Sequence, residues 1–175
     1  MKSNKAVIVT GKLVQDHEYI YPYYRLKEAG YDLDVATVDG LETQGQLGAK
    51  VLATKRIDQL VTSEYQILVL PGGAKCMEYL RQDRNAIRFI REFQQMGRVV
   101  GSICHAAQLL ISAKVVKGRR ISGYYSLQDD IENAGAIYID EPAVIDGNLV
   151  TTAHYKDLGP WMAAILKLAN DLNIS

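Results

Sequence analysis

Three histidines, two cysteines and two phenylalanines are all that 175 residues supply of these types, and the first two shortages close off whole classes of function. So few histidines and two scattered cysteines show no metal-ligand spacing, so no metal site is expected. Cys76 and Cys104 stand far apart in a chain with no recognisable export signal, which points to a reducing compartment rather than a disulfide framework. Charge of one sign is also missing: twenty basic and twenty acidic residues cancel, leaving no electrostatic case for nucleic acid or an anionic membrane. Long apolar runs are absent too. Ala6–Thr10, following Met1–Lys5, is too short for a signal-peptide core, and nothing approaches a membrane span, so a cytoplasmic location is expected. Pro71-Gly72-Gly73 lacks the lysine and hydroxyl of a phosphate loop, and no GxGxxG follows the first strand, which disfavours nucleotide binding. Eleven tyrosines against two phenylalanines have no account in the pattern.

What is present alternates. Lys5–Thr10 and Gln66–Leu70 are continuous apolar runs of the kind buried on both faces of a parallel sheet. Tyr31–Thr37 and Val99–Ile103 read as further strands, Lys50–Arg56 as a short extra one, and Ile121–Tyr125 as another. Gly11–His17 reads as loop. A helix is predicted from about Glu18 to Ala29, because Pro22 is tolerated only near a first turn and Gly30 is a stop signal. Others are predicted over about 83–96, from the elbow to about Ala113, and over 128–134. The last, Asp157–Leu172, would bury Trp161, Ile165, Leu166 and Leu168. Ala143–Ile145 and Leu149–Thr152 flank Asp146-Gly147-Asn148, a hairpin turn. Residues 1–175 thus read as one α/β domain, a doubly wound and mostly parallel sheet with helices on both faces. Ligands of such sheets gather at the carboxyl ends of strands, where the loop before Glu18, Pro71-Gly72-Gly73 and Cys104 all fall.

The stretch 98–110 organises the chemistry. An apolar strand ends at Cys104 and a helix-compatible run begins directly after it, so the chain must turn sharply at the cysteine. This is the arrangement of a nucleophile elbow, with small Ser102 and Ala106 where glycines usually stand. A thiol there sits at the positive end of the following helix, which favours thiolate. Its ordinary alternative is a buried structural cysteine. His105 is adjacent, and adjacent side chains rarely point the same way, so a direct imidazole–thiol contact requires a bend. Its backbone N–H is available to an oxyanion. Glu18 can reach the same crevice; buried, it is expected to stay protonated and donate to the thiol, its alternative being a helix-start acid. His17 and His154 read as surface histidines, and Cys76 as a spectator thiol in a loop.

These residues together resemble the DJ-1/PfpI superfamily, and its PfpI-like intracellular protease/deglycase branch in particular. The motifs that carry the resemblance run through Glu18–Gly30, Leu68–Gly73, Ser102–His105, Leu110–Ala113, Asp129–Gly135 and Asp146–Asn148. The resemblance implies a flavodoxin-like, class I glutamine amidotransferase-like fold. It also implies Cys104 as nucleophile, His105 beside it, Glu18 as the family's acid, and Gly73 and His105 N–H groups as oxyanion donors next to Gly72. Tyr124 matches a pocket tyrosine. Glu78 matches a glutamate that orients the histidine from a neighbouring subunit, so a homo-oligomer, dimer or hexamer, is implied. The implied activity is cofactor-free hydrolysis of a small-molecule or peptide substrate, of peptidase, amidase or deglycase type. A glyoxalase acting on 2-oxoaldehydes is the enzymatic alternative, and a redox-responsive protein oxidised at Cys104 the non-enzymatic one. Four departures bear on substrate. Ala106 replaces a glycine and is expected to narrow the pocket. Thr152-Ala153-His154-Tyr155 replaces a segment with an arginine, Gln15 replaces an acid, and Tyr125 replaces a proline.

Overall fold

The computed structural model describes residues 4–174; Met1–Ser3 and Ser175, the ends of the expected domain, lie outside the described residues. In chain order the elements are β1 (Lys5–Val9), α1 (Asp16–Glu28), β2 (Asp32–Thr37), β3 (Thr43–Gln44), β4 (Lys50–Val51), β5 (Lys55–Arg56) and β6 (Ile67–Leu70). Then follow α2 (Ala74–Leu80), α3 (Arg84–Gln95), β7 (Val99–Ile103), α4 (Ala107–Ser112), β8 (Arg120–Ile121), α5 (Gln128–Asn133) and β9 (Ile137–Tyr138). The chain closes with β10 (Val144–Asp146), β11 (Leu149–Thr152) and α6 (Leu158–Ile174). Seven strands form the central sheet in the order β10-β11-β7-β6-β1-β2-β5. Every neighbouring pair is parallel except the β10–β11 hairpin.

The strand order explains where a site must form. From β1 the chain crosses through α1 to β2 on one side, then returns to lay β6 on the other side of β1. Right-handed crossovers running in opposite directions put α1 and α3 on opposite faces of the sheet. The carboxyl ends of β1 and β6 therefore flank a topological switch point, where a crevice opens. The apolar runs read from the sequence are the buried strands: Ala6–Val9 and Ile67–Leu70 are fully inaccessible. Helix α6 seals one face of β7. A methyl group at Gly101 would lie 2.3 Å from Ile165 Cδ1 and 3.1 Å from Trp161 Cζ2, so backbone and helix meet there without a side chain between them. Trp161 also donates to Val150 O at 3.0 Å. Leu166 is buried and Leu168 half-buried against the same core.

Several expected boundaries change. Helix α1 starts at Asp16, with Gln15 as its cap, so Pro22 lies well inside it. Proline there removes the N–H that would have bonded the Glu18 carbonyl, and the helix tolerates the loss because its amino-terminal end is held elsewhere. Asp16 Oδ1 and Oδ2 accept from Ala49 N (2.7 Å) and Leu47 N (2.8 Å). The residue that caps Glu18 N–H, Gln15, does so through Oε1 at 3.1 Å. Lys50–Arg56 is two short strands, not one. The strand expected over Ile121–Tyr125 stops at Ile121, because Tyr124 N donates to the Cys104 carbonyl (3.1 Å) instead of to a neighbouring strand. Cys76 lies not in a loop but buried within α2.

Candidate active site

Cys104 has φ of +60°, one of three non-glycine residues with positive φ among those described. A residue with a Cβ is held there only by surrounding structure. Here β7 enters from below, a single 3-10 turn over Cys104–Ala106 leaves above, and Tyr124 N grips the cysteine carbonyl. The turn that looked abrupt in the sequence is this strained elbow. It supplies the bend that direct contact with the next residue required: Cys104 Sγ lies 3.3 Å from His105 Nδ1. The imidazole is in turn stacked on Tyr124, with ring centroids 4.6 Å apart and planes at 24°. Burial pulls the His105 pKa down, so the ring is neutral and able to accept a proton.

Glu18 stands on the opposite side of the sulfur. Its side chain is inaccessible, and Oε2 accepts from Gly72 N at 2.7 Å. Burial raises its pKa to about 8, against the lowering effect of the Gly72 N–H and of the Cys104 thiol. The carboxyl is therefore protonated at neutral pH, as expected. Its second oxygen, Oε1, is buried without a hydrogen-bond partner, and the adjacent thiol is the group its proton can serve.

The expectation that a helix terminus would favour thiolate is overturned. Helix α4 has six residues and begins only after the 3-10 turn, so its dipole is short and displaced from the sulfur. Burial pushes the Cys104 thiol well up, the charge of an ionised Glu18 would push it further, and the backbone N–H groups of His105 and Gly73 pull the other way. The resting residue is a thiol. Those two opposing N–H groups are the pair expected as oxyanion donors, and they converge on the sulfur.

The two glycines are required by contact. A Cβ on Gly72 would lie 2.6 Å from Glu18 Oε2 and 2.8 Å from Ile103 O; one on Gly73, at φ +101°, would lie 2.7 Å from Gln15 N. Either would separate the acid from the thiol or turn an N–H away.

A cavity of about 400 Å³ opens above these groups, lined by Glu18, Gly73, Cys104, His105 and Tyr124 together with Gln15, Gln46, Leu47, Ala74, His154 and Tyr155. The last pair form one wall, although His154 reads in the sequence as a surface histidine. His154 and Tyr155 rings lie 4.0 Å apart, and Tyr155 stacks on His17 at 5.0 Å. The signal was available: Thr152 ends a parallel strand, so the next residues fall at the carboxyl edge like Gly72 and Cys104. Gln46 and Leu47 were not legible, since only the Asp16 contacts bring their loop to the rim. No lysine or arginine lines the cavity. Ala106 is buried beneath the elbow and does not line the cavity, so its methyl group does not narrow it. Glu78 is not brought to the site by this chain: it is exposed on α2 and paired with Lys75 at 2.6 Å. Among the described residues, no group of three or more metal-ligating side chains is arranged to hold an ion, and no helix is long and apolar enough to cross a membrane.

Comparison with known proteins is consistent with this geometry. The sequence profile of the DJ-1/PfpI family matches residues 4–168. The chain is 38% identical over 164 residues to Deglycase PfpI of Pyrococcus furiosus, covering 94% of this chain and 98% of that protein. It is 35% identical over 161 residues to Protein/nucleic acid deglycase 2 of Escherichia coli, covering 90% and 91%. Among solved structures, a two-domain protein from Anabaena variabilis with DJ-1/ThiJ/PfpI-like and ferritin-like domains superposes with a TM-score of 0.91 at 33% identity. That match covers 93% of this chain and 47% of the larger one, so the chain spans about half of that protein.

Proposed function

We propose, from the premise that this chain belongs to the DJ-1/PfpI family, that it is a cysteine hydrolase that cleaves a C–N bond next to a carbonyl in a glycated or amide substrate. The observation that carries the reading is the Cys104 sulfur, 3.3 Å from a neutral imidazole nitrogen, with a protonated acid and two backbone N–H groups around it. A thiol with a raised pKa needs a base at the moment of attack, and His105 Nδ1 is in reach to be one.

The steps follow from those positions. Sγ bonds to the carbonyl carbon as its proton passes to His105 Nδ1, and the opened C=O pair becomes an oxyanion. The N–H groups of Gly73 and His105 donate to that oxygen, while Glu18, keeping its proton, adds no negative charge beside it. On an amide, collapse breaks the C–N bond at the attacked carbon, and the proton on His105 goes to the departing amine. On a glycated amine, the amine leaves from the hydroxyl-bearing hemiaminal carbon and Sγ adds to the aldehyde so released. Proton transfers through the enediol then convert that hemithioacetal into the thioester of a 2-hydroxy acid. Water then attacks the thioester, with His105 as base, releasing the acid and restoring the thiol. For Nδ1 to accept, the ring proton must sit on Nε2. A carboxylate accepting from Nε2 would fix that tautomer, and Glu78 of a second copy in a homo-oligomer is the proposed acceptor.

The test is turnover of methylglyoxal-treated N-acetyl-lysine and N-acetyl-arginine, with release of free amine measured for the wild type and Cys104→Ser. Release abolished by the substitution supports the reading. Equal release from both proteins, or none from either on glycated and amide substrates alike, rejects it.

A further inference from the structure

A second concavity, on the side of α2 and α3 and sharing no lining residue with the cysteine cavity, is lined by four arginines. It encloses about 320 Å³ and is lined by Arg81, Arg84, Arg88 and Arg91, with Gln82, Ile87 and Ser112. No described carboxylate lines it. In a chain with no net charge, four guanidinium groups in one small cleft are a concentration that the average conceals.

Two of the four are fixed in place by uncharged partners. Arg81 Nε and Nη2 both donate to Ser112 Oγ, at 3.2 and 3.0 Å, and Arg91 Nε donates to Ala113 O at 2.8 Å. Each keeps N–H groups over. Arg84 and Arg88 are exposed, and neither is ion-paired with any described carboxylate. Their neighbour Asp83 does not line the cleft; its Oδ1 caps Ala86 N at 2.7 Å. Arg84, Arg88 and Arg91 recur at a spacing that places them along one side of α3, over about 10 Å of helix. Arg84 is also the first residue of that helix, where a cation opposes the macrodipole. Like charges at this spacing repel one another, and an anion between them would relieve that repulsion.

We propose that this cleft is a binding site for a compact, multiply charged phosphate ligand, such as a pyrophosphate group, held by bidentate guanidinium contacts. Planar forks match phosphoryl oxygens in a way that ammonium groups do not. The enclosed volume and the span along α3 suit two adjacent phosphoryl groups rather than an extended strand. The site is separate from the cysteine chemistry and stands whether or not the hydrolase reading holds.

Calorimetric titration of the full chain with inorganic pyrophosphate tests it. Wild-type protein should bind with an affinity that falls as salt is raised. Arg84→Ala/Arg88→Ala should weaken binding by about tenfold for each guanidinium removed, and Arg84→Lys/Arg88→Lys should restore part of it. Both side chains are exposed, and unchanged thermal unfolding with an unchanged Cys104 alkylation rate will show that the fold and the distant site are intact. A nucleoside diphosphate titrated in the same way should bind as pyrophosphate does, because the same two phosphoryl groups would be held. No heat with pyrophosphate at low salt overturns the proposal, as does equal affinity in the double alanine variant. Binding of a single-stranded oligonucleotide without binding of pyrophosphate also overturns it, as does a change of oligomeric state in the double variant without loss of pyrophosphate affinity.

Discussion

At the scale of single residues, two buried acids share one small site and only one can ionise without severe cost. Glu18 keeps its proton up to about pH 8 because burial outweighs the Gly72 N–H. In the unfolded chain the same group titrates near 4.5. Between these values the folded protein binds a proton that the unfolded one has lost, so stability declines as pH rises from 4.5 to 8. The loss is about 1.4 kcal/mol for each pH unit in that window. Glu18→Gln should flatten the decline, and urea unfolding across the window will show it; a wild-type curve that rises with pH contradicts a protonated Glu18. The thiol responds in parallel. Glu18→Gln keeps a donor and removes the ionisable acid, so thiolate absorbance should appear at lower pH than in the wild type, and at lower pH than in Glu18→Leu, which deletes the donor. Cys76 serves as an internal control. It is buried in α2 and pushed up to about 11 by that burial, and it does not line the cavity that Cys104 lines. Iodoacetamide should label Cys104 in the native protein and Cys76 only after unfolding, as peptide mass mapping will read.

At the scale of elements, the turn after β6 is the joint on which the site depends. Gly73 caps α2 with its own backbone at φ +101°. Gly73→Ala would force a Cβ against Gln15 N and Leu13 O, at 2.7 and 2.8 Å, displacing both the oxyanion N–H and the start of α1. A loss of about 1–3 kcal/mol of stability is expected, with turnover falling far more than the fraction unfolded. Denaturant melts and turnover on one preparation separate the two. This joint also shows what a sequence reveals. The strands were legible because a doubly covered sheet demands continuous apolar runs, and α3 because Asp83 and Gly97 bracket it. Helix α2 was not: it follows Gly73 with no side-chain cap and no start signal, so Cys76 read as a loop thiol. Pro22 misplaced the start of α1, since its rule is local while the contacts of Asp16 that hold the helix end come from residues 47 and 49. Cys104, Glu18 and Gly73 were legible from the carboxyl-end rule and from resemblance. The His154–Tyr155 wall was open to the same rule, since Thr152 ends a parallel strand, whereas the Gln46–Leu47 rim exists only once Asp16 draws its loop in.

At the scale of the whole molecule, one chain brings Cys104, His105 and Glu18 together around one cavity, and among the residues that line it Glu18 is the one carboxylic acid. Glu78, exposed and ion-paired with Lys75 across one turn, is the residue proposed to serve another copy, since such a surface pair holds it only weakly. If it does, co-refolding Glu78→Ala with Cys104→Ser, each poorly active alone, should regain activity in hybrids that join an intact Cys104 to an intact Glu78. Hybrids confirmed by native mass spectrometry that regain nothing would remove Glu78 from the mechanism and leave His105 to its stacking on Tyr124. The claim on which the account rests is covalent attack by Cys104. Its most direct measurement is acid quenching of the protein within its first turnovers on a glycated substrate, followed by intact-mass and peptide analysis. An acyl group should appear on Cys104 alone, accumulating before free amine reaches its steady rate and absent in Cys104→Ser. Turnover without any adduct on Cys104, or with the same yield in Cys104→Ser, would contradict it.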